Sequence, residues 1–379
     1  MTHIFVVNER TFKIHLEYLF AGTGHSTHIP DFIETEKTVT TADFDEKTFV
    51  SMIADISKIR KNDLVAFYVT GCKKIFGFFQ AVSVPFYNSA SDDYLGKELG
   101  RYLPFRVRLK PFMVFSEGIT EHQALDDIHN IEHPYQMCWS LIYRKLTGMR
   151  GCSFITDFEY LNINLLISIA NKNKPLYAEH YTYDSQQQKI VKSDKAHCYT
   201  GNTRIGLDIK KRLLRVTNSH EAHLQAYITQ NHDKSPLREL MYPDNFRKIW
   251  IGNEVVCSVG EQRIDILSIV ETKKEYYIRI TELKDETPNK DIVETQIQWY
   301  IRWVAQYLAS LMNDKKVVVI PTIIAKKHKR DTNKKIEFVS ACNSFKNTKI
   351  GQLYNITINP IEYIAFERSE DDITFEKVF

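Results

Sequence analysis

Apolar residues recur along this chain with two different periods, and the changes of period divide it. Residues 2–8 alternate, which predicts a first strand. The run LVAFYVTGCKKIFGFFQAVSV (64–84) splits into two β-rich stretches around Gly71-Cys72-Lys73-Lys74 and predicts a hairpin. In RYLPFRVRLKPFMVF (101–115), Phe105, Val107 and Leu109 alternate with Arg106, Arg108 and Lys110, so a further strand carries a basic or simply solvated face. The period then lengthens. Residues 137–148 predict a short helix stopped by glycine, and 155–172 a second helix beginning near Thr156 or Asp157. A first domain closes near residue 170.

Residues 171–210 are polar and weakly periodic, and read as a connector holding at most a strand pair. A helix follows over 218–231, with Asn218 or Ser219 as its cap and Leu224, Tyr227 and Ile228 as its apolar stripe. Next come an edge-like strand at 254–259, strands at 264–270 and 276–284, a helix from Lys290 to about Met312, and a strand at 316–324. The order helix, three strands, helix, strand predicts a second domain over 211–379 with a mixed central sheet. The whole is a two-domain α+β or α/β protein, a β-rich domain with helices followed by an α/β core.

Composition narrows the picture. A chain of 379 residues suits two domains, and 43% hydrophobic with 26% charged residues is globular. The net charge of +3 is nearly neutral, so any nucleic-acid surface must be local. The six cysteines form no CxxC or metal-finger spacing, and the opening MTHIFVVNERTFKIH lacks the pattern of a signal peptide. No apolar run approaches the length of a membrane span. These features predict a reduced, cytoplasmic protein with no membrane partner. AGTGHS (21–26) has no strand–helix frame around it and reads as a loop.

The candidate chemistry lies in RIDILSIVETKKEYYIRITELK (263–284). Two apolar runs flank a charged turn at 271–275, which reads as an antiparallel pair. Such pairing brings the start of one strand to the end of the next, so Asp265 and Glu282 meet although seventeen positions apart. Period two puts Glu282 and Lys284 on one face. Two carboxylates suit Mg²⁺, a hard cation, with Mn²⁺ as a substitute. The ion would activate water, and Lys284 would orient that water or stabilise charge on a phosphorane. Charged residues at strand ends are also commonplace, so the context of strands and helices is what favours a site.

These residues resemble the PD-(D/E)xK nuclease core, whose order is helix, three-stranded meander, helix, strand. Asp265 matches the motif aspartate, Glu282 its second carboxylate and Lys284 its lysine; Arg263-Ile264-Asp265 stands where Pro-Asp is usual. Glu221 in SHEAHLQAYI matches the acidic residue of the preceding helix, and the resemblance implies that it ligates metal or supports the site. TQIQWYIRWVAQYL is similar to a helix of RecB-like and archaeal mismatch nuclease domains, where a Gln and a Tyr lie near the site, here Gln296 and Tyr300. The resemblance covers roughly 215–325.

The segment 61–88 resembles the PUA-like fold, particularly its EVE branch, in Asp63, Tyr68, Gly71, Phe76 and Gly77, and the resemblance implies a small β-barrel with helices for the first domain. Related domains bind RNA or DNA and some accept a flipped modified base, which would assign Tyr87 or Trp139 to base stacking. Lys73, Lys74, Arg106, Arg108 and Lys110 offer phosphate contacts, as do Lys326, Lys327, Lys329 and Arg330 after the last core strand. Each is equally compatible with a charged surface. The expected function is a metal-dependent DNA endonuclease, acting in restriction with or without dependence on base modification. Its partner would be double-stranded DNA, and a homodimer would form if both strands are cut. Two alternatives stand: a mismatch- or structure-specific repair nuclease, and a non-enzymatic RNA- or DNA-binding protein.

Overall fold

The computed structural model describes residues 1–24, 33, 40–41, 44–89, 92–125, 132, 138, 140, 151–216, 220–257, 262–312, 314–330, 332–345 and 347–379. It is a two-domain α+β architecture, with one compact unit over Met1–Asp208 and a second over Ile209–Phe379.

The first unit is built on a curled, half-barrel sheet. Six of its eight strands, β1 (Thr2–Val7), β2 (Phe20–Thr23), β3 (Leu64–Val69), β4 (Lys74–Ala81), β5 (Phe105–Pro111) and β6 (Cys152–Ile155), run in the order β6-β1-β3-β4-β5-β2. Among the described strands of this sheet, only the β1–β3 pair is parallel. Helix α1 (Glu9–Tyr18) starts at Asn8, whose side chain accepts the Thr11 N–H while Thr11 Oγ1 accepts the Asn8 N–H. It fills the sheet's concavity with Phe12, which meets Phe67 and Phe76. Helix α2 spans Glu46–Ile56 and helix α3 spans Asp157–Ala170. Thr156 caps α3 in a reciprocal box with Glu159, at the helix start expected near Thr156 or Asp157.

Two expectations are corrected here. The segment 171–208 is part of the first unit rather than a separate connector. Its hairpin β7 (Tyr181–Asp184) and β8 (Lys189–Lys192) lays Tyr183 edge-on to Phe12, and Tyr181, Tyr183, Ile190 and Tyr199 are buried. Polar spacing hid this because amphipathic tyrosines supply the apolar surface. Likewise 21–23, within the 21–26 segment expected to be a loop, belongs to the edge strand β2 paired with β5. The predicted helix at 137–148 lies outside the described residues, apart from positions 138 and 140.

The second unit carries a mixed seven-stranded sheet, six of whose strands run β9 (Lys248–Val256), β10 (Arg263–Glu271), β11 (Glu275–Lys284), β12 (Lys316–Lys326), β13 (Glu362–Arg368) and β14 (Ile373–Lys377) in spatial order. β9, β10 and β11 form an antiparallel meander, and β11, β12 and β13 run parallel. Helix α4 (Glu221–Asn231) precedes the meander. Helix α5 (residues 292–311) forms the crossover from β11 to β12 and buries Val293, Ile297, Tyr300, Ile301 and Val304. A parallel crossover needs such a helix to bring the chain back. Strand β9 begins at Lys248, six residues ahead of the expected 254, because Gly252, Asn253 and a left-handed Glu254 (φ 50°) interrupt the β pattern. Among the described residues no helix is long and apolar enough to cross a membrane.

Candidate active site

The β10–β11 ladder runs from Glu271↔Tyr276 to Ile266↔Thr281. One further step would set Asp265 opposite Glu282. There the side chain replaces the main chain: Asp265 Oδ2 accepts the Leu283 N–H at 2.7 Å. The β11 ladder to β12 continues past this point to Lys284↔Ala325, so the strand carrying Glu282 stays rigid where β10 leaves it. The expected meeting of Asp265 with the end of the next strand is what the register produces.

Lys284 Nζ donates to Glu282 Oε1 at 2.6 Å and stands 3.8 Å from Glu221 Oε2. Glu282 is 2% exposed, and among the described residues its Oε2 is buried without a hydrogen-bond partner. Glu221 sits at the first position of α4 with a third of its side chain exposed. The His220 N–H, just before it, donates to Asp285 Oδ2 at 2.8 Å, which fastens the start of α4 to the end of β11. An acidic residue at this helix position is also favoured by the helix dipole.

Gln225, one turn beyond Glu221 on α4, was not legible as a site residue. Its Nε2 donates to the Asp265 carbonyl at 3.0 Å and to Glu254 Oε1 at 3.2 Å. Glu254 Oε2 in turn accepts from Arg263 Nη1 at 2.9 Å. The one available signal was the i,i+4 spacing of Glu221 and Gln225. Tyr300 donates its hydroxyl to the Arg263 carbonyl at 2.7 Å, beside Glu282. Gln296 is half-buried.

Charge and burial work against each other in this cluster. Burial, then the neighbouring Glu282, pushes the Asp265 carboxyl well above the usual carboxylate range. Burial also raises Glu282, with Lys284 pulling it back. Burial lowers the Lys284 pKa, but Glu282 and Glu221 outweigh it and hold the ammonium protonated. Cys257, fully buried, has its thiol pushed up to about 12 by burial and by Glu282. Crowded carboxylates raised by burial and by each other favour a bound cation or a shared proton.

Among the described residues no group of three or more His, Cys, Asp and Glu side chains is placed to hold a metal ion. The donor set is thus a carboxylate pair with Glu221 drawn to Lys284. That set still fits Mg²⁺, which takes one or two protein carboxylates and keeps waters for its other positions. The unpartnered Glu282 Oε2 is a second observation in favour of that fit.

The expected nucleic-acid contacts divide. Lys73 is exposed at the β3–β4 turn and lies 3.4 Å from Glu121 Oε1, with Lys74 half-buried beside it. Arg106 is fully buried: its Nε donates to Leu103 O at 2.7 Å, Nη1 to the Tyr199 hydroxyl at 3.2 Å, and its guanidinium lies over the Phe20 ring. A surface phosphate contact by Arg106 is therefore corrected, because the face that alternation read as solvated is covered by Tyr199 and Phe20. Arg108 is half-buried over Tyr199 and Lys110 is exposed. Tyr87 is also fully buried, its hydroxyl 3.2 Å from that of Tyr102, and Trp139 lies outside the described residues. In the second unit Lys326 ends β12 and, with Lys329 and Arg330, is exposed, whereas Lys327 is paired to Glu376 at 2.6 Å.

An open groove of about 920 Å³, lined by Lys315, Lys316, Asn347 and Gln352 among others, sits at the start of β12. That is the opposite end of the sheet from Lys284, since Lys316 pairs with Glu275. It does not belong to the carboxylate cluster. No family model matches the chain and no curated protein matches it.

Proposed function

We propose that the second unit is a divalent-metal-dependent phosphodiesterase of the PD-(D/E)xK type acting on double-stranded DNA, and that the first is a PUA-like module selecting the DNA. The observation that carries this reading is the convergence of Asp265, Glu282 and Lys284 where the β10–β11 ladder ends, with one buried Glu282 oxygen left unpartnered. Asp265 and Glu282 would hold Mg²⁺ or Mn²⁺, with Glu221 as a supporting carboxylate. When bound, the ion would polarise the scissile phosphate and lower the pKa of a coordinated water. The Leu283 N–H fixes the Asp265 carboxylate, and Gln225 fixes its backbone. Lys284, held protonated, acts as a cationic donor to developing negative charge or to the attacking water, not as a base. The strand end is rigid, so these groups need little reorganisation during reaction.

The role that suits such a pairing of units is restriction, with base modification as the feature the first unit would read. This last step rests on the family resemblance. The test is cleavage of matched duplexes, unmodified, methylated, hydroxymethylated and mismatched, by wild type and Glu282→Ala in Mg²⁺. Cutting confined to modified DNA and lost in the variant supports the proposal. Cutting only at mismatches favours repair. Binding by both proteins without metal-dependent cutting of any duplex would overturn the enzymatic reading.

A further inference from the structure

Helix α3 presents an apolar stripe to solvent. Phe158, Leu161, Leu165 and Ile169 are 36%, 60%, 57% and 59% exposed, while Ile163 and Ile167 on the opposite face are fully buried in the core of the first unit. Intervals of three, four and four residues align the exposed four along one side of the helix. Isolated exposed leucines need no explanation, but four apolar side chains in one line mark an interaction surface.

The stripe has a symmetry of its own. Leu161 and Leu165 lie two positions either side of Ile163, and Phe158 and Ile169 lie five before and six after it. Two copies of α3 placed antiparallel about a twofold axis near this midpoint would set Leu161 against Leu165 of the second copy, and Phe158 against Ile169. The ends also match in charge. Asp157 opens the helix, and exposed Lys172 and Lys174 follow its last turn. Antiparallel pairing brings the acidic end of each helix to the basic end of the other, whereas a parallel pair would stack like charges.

We infer that α3 is the seam of a twofold-symmetric pair of this chain, formed by antiparallel packing of Phe158, Leu161, Leu165 and Ile169. The seam is isologous, because each copy gives and receives the same contacts. Four side chains fall short of the roughly 800 Å² per partner of a standard stable interface, so the pair forms and separates with concentration. The inference stands on α3 alone and extends the proposed function: a duplex cut on both strands would have two active sites available.

Sedimentation equilibrium of the full chain, without DNA or metal, tests it separately from any cleavage assay. Wild type should show a concentration-dependent monomer–dimer equilibrium. Leu161→Lys alone and Leu165→Glu alone should each weaken it at least about tenfold, since each sets an uncompensated charge against leucine. Mixing the two variants should restore association, because Lys at 161 of one copy then faces Glu at 165 of the other. Both positions are exposed, so unchanged thermal melts would show that the fold is retained. Monomer at every concentration up to the solubility limit, dimerisation indifferent to both variants, or no recovery on mixing would overturn the antiparallel seam.

Discussion

Asp265 Oδ2 accepts the main-chain N–H of Leu283, the residue between Glu282 and Lys284, at 2.7 Å. One end of the candidate triad is thereby hydrogen-bonded to the backbone of the other, across the mouth of a ladder that has just ended. The Asp265→Asn substitution keeps an oxygen for this bond but lacks the charge. It should fold normally and lose metal-dependent cleavage by at least about a hundredfold, within the range assigned to removing one electrostatic group from a site. Asp265→Ala should also strand the Leu283 N–H, at about 1–3 kcal/mol of stability. Urea unfolding beside single-turnover cleavage separates the two effects, and equal destabilisation by both variants would refute the hydrogen-bond argument.

Gln225 acts on the same aspartate from behind, through the Asp265 carbonyl. Gln225→Ala should reduce the rate of the cleavage step by about tenfold, as a small misplacement of a reacting group does. Duplex affinity, measured without metal, should stay unchanged. A loss of affinity with an unaltered single-turnover rate would place Gln225 on the DNA instead.

Glu221 and Glu282 should behave differently, although both are carboxylates near Lys284. Glu221 is a third exposed and 3.8 Å from the ammonium, while Glu282 is buried and bonded to it at 2.6 Å. Calorimetric titration with Mn²⁺ should find binding abolished in Glu282→Gln and weakened by no more than about tenfold in Glu221→Gln, the lower end of the range for outer-shell support. Equal abolition in both would make Glu221 a full ligand.

His15 predicts an acid-sensitive first unit. Both ring nitrogens are buried without hydrogen-bond partners among the described residues, and the ring stacks on Phe67 and meets Phe20 edge-on. Burial, with Arg106 and Arg101 nearby, holds its pKa at about 3, against 6.5 for an ordinary histidine. Below pH 6.5 the unfolded chain therefore binds a proton that the folded chain refuses. Stability should fall as pH drops from 6.5 towards 3, by up to about 1.4 kcal/mol per unit from this group. His15→Phe should flatten that slope while leaving stability at pH 8 little changed. Parallel slopes for wild type and variant, followed by chemical unfolding from pH 8 to 4, would show that His15 does not drive it.

Tyr300→Phe removes the hydroxyl that donates to the Arg263 carbonyl at 2.7 Å. The lost bond should cost about 1 kcal/mol and slow cleavage far less than Glu282→Ala does. A loss as large as that of Glu282→Ala would give the hydroxyl a direct part in the reaction.

The sequence by itself determined what repeats along single elements. The period-two runs at 264–270 and 276–284, joined by a short charged turn, leave one register, and that register brings Asp265 to the end of the strand carrying Glu282 and Lys284. The start of α3 near Thr156 and the crossover helix before β12 were legible for the same local reason. Only the tertiary structure decided what covers each face. Alternation marked Arg106 as polar and outward, yet Tyr199, drawn in from more than ninety residues away, encloses it. Leu161 and Leu165 are as apolar as any core residue, yet they face solvent. Gln225 looked like an ordinary helix residue until α4 packed against the start of β10. A repeat in sequence says which side chains share a surface. What that surface meets depends on segments far along the chain, and no local pattern carries that information.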